Sequence, residues 1–212
     1  MNLMRSFLFV SIVCLISSVF AQAPDVKPDA RLVLSEIQKS MASVKEIKAD
    51  FNQEKNLSLF KHTIKLEGNL NIKFPHYFRW EVTSPLKTVI TADGDTVTTW
   101  DEETNQTQTL SVKNNPVVKS IWTQIDSWFM GKYDELSKNY YIKLLQSEPA
   151  VLEFKPKNKA VASTVEKITV FFRKDKKYLK QVKLQETGGD STIISFSNIK
   201  LTPSEKEKVS NK

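Results

Sequence analysis

Cysteine occurs once in this chain of 212 residues, histidine twice, glycine five times and proline eight times. Each scarcity removes a class of protein. Cys14 lies in the first apolar run, so a chain processed beyond that run has no thiol nucleophile, disulfide or thiolate metal site. His62 and His76 stand near expected strand ends, with no further ligands at matched spacing, so no metal is expected. With so few glycines there is no P-loop, no G-x-G-x-x-G and no G-x-S-x-G. Glu67, Glu81, Asp93 and Asp101 are carboxylates with nothing to bring two of them to one substrate. The expectation is a protein without catalytic residues or cofactor, and not an enzyme.

Acidic residues are outnumbered, 24 against 31 basic, for a formal charge of +7. Lysines at 155, 157, 159, 174, 176, 177 and 180 cluster around expected turns. Such lysines discourage edge-to-edge pairing of strands and allow transient contact with an acidic membrane surface. Nucleic acid is not an expected partner, because the chain carries an export signal.

That signal is the one place where a long apolar run occurs. Arg5 is the only charge before Asp25, Phe7 to Ile16 is apolar, and Ala21-Gln22-Ala23 is an A-x-A cleavage pattern. The run is short for a bilayer span. Residues 1–23 read as a signal peptide and residues 24–212 as a single exported domain, expected to be monomeric.

What the sequence has in quantity is alternation. Ile47, Ala49 and Phe51 alternate with Lys48, Asp50 and Asn52. Ile64, Leu66, Gly68, Leu70, Ile72 and Phe74 share one parity, and polar residues hold the other. Phe78, Trp80 and Val82 follow the same rule. This is the period of strands with one apolar and one wet face. Further strands are expected over 88–92, 96–100, 106–112, 140–145, 151–155, 166–172, 179–186 and 192–201, with Asp93-Gly94 as a hairpin turn. Two helices break the series. One begins near Asp29 and carries Leu34, Ile37, Met41 and Val44 on one face. The other begins at Pro116, ends at Gly131, and carries Ile121, Trp122, Ile125, Trp128 and Phe129. The expected fold is α+β: a strongly curved antiparallel sheet, or incomplete barrel, with helices against its concave face.

Three pieces then carry a resemblance: Ala49-Asp50-Phe51-Asn52-Gln53, Glu67 to Pro75, and Phe78-Arg79-Trp80-Glu81. Pro85, Val89 to Gly94 and Trp100-Asp101 continue it in order. Together they resemble the LolA-like carriers of outer-membrane lipoproteins. The resemblance implies a periplasmic protein whose fold is an unclosed, strongly curved antiparallel β-barrel with α-helices forming a lid over its concave face, enclosing a hydrophobic cavity that accepts lipoprotein acyl chains or another lipid. It implies an inner-membrane lipoprotein-releasing transporter as donor and an outer-membrane receptor as acceptor. It assigns Phe51, Leu70, Ile72, Trp80 and Trp100 to the sheet side of the cavity, and Ile121, Trp122, Ile125 and Phe129 to the lid. Phe74 stands where such carriers often have an arginine that latches the lid, so the polar latch is either missing or made by another residue such as Arg79. The alternative implied by related proteins is an envelope sensory module that binds lipid without transporting it.

Overall fold

The computed structural model describes residues 28–59, 62–115, 127–129 and 133–204. Helix α1 (Pro28–Met41) leads into β1 (Val44–Leu57), β2 (His62–Lys73), β3 (Tyr77–Ser84), β4 (Thr88–Asp93), β5 (Thr96–Asp101) and β6 (Gln106–Ser111). After residue 132 come α2 (Tyr133–Asn139), β7 (Tyr140–Ser147), β8 (Ala150–Pro156), the single turn α3 (Lys159–Ala162), β9 (Val165–Phe172), β10 (Leu179–Glu186) and β11 (Ser191–Pro203).

The strands form one antiparallel sheet in the order β6-β5-β4-β3-β2-β1-β11-β10-β9-β8-β7. First and last strands, the two longest, pair at its centre. Among the described residues β6 and β7 pair on one side only, so the sheet does not close.

Its curl follows from two adjacent residues. Phe129 packs on Phe78 of β3 at 5.9 Å and on Phe196 of β11 at 6.2 Å, between ring centroids. Its neighbour Trp128 packs on Phe154 of β8 at 4.8 Å and on Tyr140 of β7 at 5.6 Å. Strands β3 and β8 are six places apart, roughly 29 Å across a flat sheet. Neighbouring side chains can touch both only if the sheet bends around them. The face carrying these rings is therefore concave.

The concave face is the apolar one. Ile47, Ala49 and Phe51 on β1, Leu70 and Ile72 on β2, and Phe78, Trp80 and Val82 on β3 are buried. Leu152, Phe154, Ile168, Val170 and Phe172 continue it on β8 and β9. Helix α1 lays Ala30, Leu34, Ile37 and Met41 into the same core. It is tied to the β9–β10 turn, where Lys176 Nζ reaches Glu36 at 2.6 Å and Ser40 Oγ donates to the Lys176 carbonyl at 2.7 Å.

Two sequence expectations need adjustment. Val44 belongs to β1 and not to the first helix, which stops at Met41 before the extended segment begins. Helix α2 was not expected, although Tyr133, Leu136 and Tyr140 recur at helical spacing and are buried. Of the helix expected over 116–130, residues 127–129 are described and are helical, and the remainder lies outside the described residues.

Candidate functional site

The densest aromatic cluster lies at the middle of the concave face. Phe51 and Gly68 are paired across β1 and β2, and Gly68 is paired with Val82 of β3. Because Gly68 has no side chain, the Phe51 ring lies over it and stacks on Trp80, with centroids 3.8 Å apart and planes 22° apart. Phe129 meets the Trp80 ring edge-on at 6.2 Å. Phe51, Leu70, Ile72, Trp80 and Phe129 are thus brought to one surface, all buried.

Trp100 does not join them. The register pairs Trp80 with Ile90 and Ile90 with Thr99. Trp100 pairs instead with Val89, which pairs with Glu81. Trp100 is therefore on the opposite face, half-buried beside Val89. Its strand offered no warning, because Val97 and Trp100 have opposite parity. Ile121, Trp122 and Ile125 lie outside the described residues.

Arg79, expected beside a lid, also faces away from the cluster, since it neighbours both Phe78 and Trp80 in β3. Its Nη2 donates to Glu81 Oε2 at 2.8 Å and its Nη1 to Thr91 Oγ1 at 3.3 Å. Lys87 Nζ completes the group at 2.9 Å from Glu81 Oε1. Lys87 first, and then Arg79, hold the Glu81 carboxyl below the usual carboxylate range against the opposing effect of burial. Phe74 packs against the core and makes no polar latch.

Rings that were not singled out complete the surface. Phe196 meets Tyr178 at 6.0 Å, and Tyr133 meets Phe172 at 5.9 Å. Burial pushes the phenols of Tyr133 and Tyr140 far above the usual tyrosine range. Tyr178 is pushed up by burial and then by the nearby Tyr133. The Tyr178 hydroxyl is buried without a hydrogen bond. Phe196 had a signal, since Ile194 and Phe196 share a parity on β11.

A separate cleft of about 430 Å³ opens at the β7–β8 and β9–β10 turns, lined by Pro149, Phe172, Arg173, Lys174, Asp175 and Lys180. Among the described residues no group of three or more His, Cys, Asp or Glu side chains could hold a metal ion. What the concave face offers is contact between apolar surfaces, with a cluster of aromatic rings at its centre.

Comparison with known proteins places this geometry. Residues 42–209 match the family described as "Outer membrane lipoprotein carrier protein LolA". An outer-membrane lipoprotein carrier protein of Pseudoalteromonas translucida is 26% identical over 175 residues, covering 80% of this chain and 78% of the relative. The protein of the same name from Chromohalobacter salexigens is 24% identical over 161 residues, covering 76% and 73%. Among solved structures, the MucA/MucB complex of Pseudomonas aeruginosa contains a similar fold, with TM-score 0.52 and 14% identity. The match covers 84% of this chain and 60% of that one.

Proposed function

The chain belongs to the LolA family of outer membrane lipoprotein carrier proteins, and from that premise we propose that it carries the acyl chains of lipoproteins through the periplasm. The chains lie between the concave face and the helical segment across it. Phe51, Leu70, Ile72, Trp80 and Phe129 make the contacts, together with Ile121, Trp122 and Ile125, which the family resemblance assigns to the lid. An inner-membrane transporter delivers the cargo and an outer-membrane receptor takes it.

The observation that carries this reading is the aromatic cluster of Phe51, Trp80 and Phe129, where a helical segment presses on the middle of a curled, unclosed sheet. Such a site answers a definite energetic need. At ~0.8 kcal/mol per CH₂, exposing one chain of about sixteen carbons to water costs on the order of 13 kcal/mol. Free diffusion of such a molecule is negligible, and apolar contact alone supplies the shelter. No bond is made or broken, which fits a surface of rings.

The test is to titrate delipidated protein with an acylated lipoprotein and with a fluorescent fatty acid. Saturable binding of both is expected, with a change in tryptophan emission because Trp80 and Trp128 belong to the surface. Absence of saturable binding would reject the proposal. The position of Arg79 adds a sharper expectation. Arg79→Ala leaves acyl-chain affinity unchanged and costs at most about 1 kcal/mol of stability, the range of a partly exposed ion pair. A marked loss of acyl binding in that variant would place Arg79 at the cargo after all.

A further inference from the structure

The concave face is not apolar throughout. The alternation that turns Ile47, Ala49 and Phe51 inward continues along β1 to Gln53 and Lys55, which are 3% and 7% exposed. The register sets Lys55 opposite Thr192 of β11, which is 2% exposed. Lys55 Nζ lies 3.6 Å from Glu186 Oε1, at the end of β10. Both that carboxylate oxygen and the Thr192 hydroxyl are buried without a hydrogen bond.

For stability alone this is a poor arrangement. A buried hydroxyl without a partner opposes folding, and taking an ion pair out of water carries a desolvation penalty. Apolar side chains of similar volume would fill the same space at lower cost. The cluster lies four residues along β1 from Phe51, roughly 13 Å at the rise of a strand. One face thus has an aromatic middle and a polar end.

We propose that Gln53, Lys55, Glu186 and Thr192 form a subsite for the polar linkage at the head of the acyl chains, the ester and amide groups that join them to the lipoprotein. The Lys55 ammonium and the Thr192 hydroxyl donate to carbonyl oxygens. Glu186 and the Gln53 amide oxygen accept from an amide N–H. The hydrocarbon then runs towards Phe51 and Trp80. This rests on the acyl-carrier reading above and adds an orientation to it.

Two probes separate the ideas: an acylated lipopeptide bearing ester and amide linkages, and a fluorescent hydrocarbon without carbonyl groups. Two variants are used, Thr192→Val and the double replacement Lys55→Leu with Glu186→Leu. Each is expected to weaken lipopeptide binding about three- to tenfold, the range of one or two hydrogen bonds. Hydrocarbon affinity should stay within about twofold, and the thermal midpoint should hold or rise. Unchanged lipopeptide affinity in Thr192→Val overturns the subsite, as does a parallel loss of both probes. If the unaltered protein binds neither probe, the carrier reading fails and the subsite with it.

Discussion

Gly68→Ala should destabilise the protein by about 3 kcal/mol, the upper range for overpacking a filled core. A Cβ at this position would strike the Glu81 carbonyl oxygen and come within 2.5 Å of Phe51 Cζ. The carbonyl is backbone and cannot swing aside. The Phe51 ring can move only by leaving the Trp80 stack. Measured by urea unfolding, such a loss is a large part of the 5–15 kcal/mol that holds a typical domain together. Tryptophan emission should shift in the folded variant, because the Trp80 ring loses its stacked neighbour. A loss below about 1 kcal/mol would show that β2 and β3 separate easily at this point, against the packing described here.

Alkaline unfolding should be steep. Tyr133, Tyr140 and Tyr178 each have a phenol pushed above the ordinary value by burial. In the unfolded chain a tyrosine releases its proton near pH 10. Below that pH both states keep the proton and the full stability is present. Above it the unfolded chain ionises while the folded one does not, so stability falls as pH rises. Three such groups lower it by about 4 kcal/mol per pH unit. Urea midpoints measured at increasing pH should therefore be level up to about pH 10 and drop sharply beyond it. The phenolate absorbance of the three should appear only with unfolding. Tyr178→Phe should remove one third of the slope. It should also stabilise the fold at neutral pH by about 1 kcal/mol, since the hydroxyl is buried without a partner. A stability that stays level through pH 12 would show that these phenols reach water in the folded state.

The sheet was legible because most strands keep strict parity. Ile64 to Ile72 and Phe78 to Val82 can be assigned to a face by counting in twos, and the register agrees. Where parity mixes, the face cannot be read. On β5, Val97 and Trp100 point to opposite sides, so parity could not check the inward position that the resemblance implied for Trp100, and the pairing with Val89 puts it on the other face. On β1 the apolar signal ends at Phe51, yet the strand runs to Leu57 and turns Gln53 and Lys55 inward. Polar residues on a core face look like a strand end in the sequence. Only pairing with β11 shows that they are inside. Arg79 can be read the same way: with Phe78 and Trp80 turned to the core, alternation puts Arg79 on the opposite face, where it meets Glu81 and Thr91.

The grip of Trp128 and Phe129 on strands six places apart links two movements that are usually independent. Displacing this one dipeptide would disturb both wings of the sheet together, because each ring packs on a different wing. Among the described residues β6 and β7 are not joined, so the hydrogen-bond ladder there does not fix the radius of the curl. On the carrier reading proposed above, an acyl chain entering beneath the two rings would itself set how wide the shell stands, and guests of unequal girth would be fitted by the same backbone.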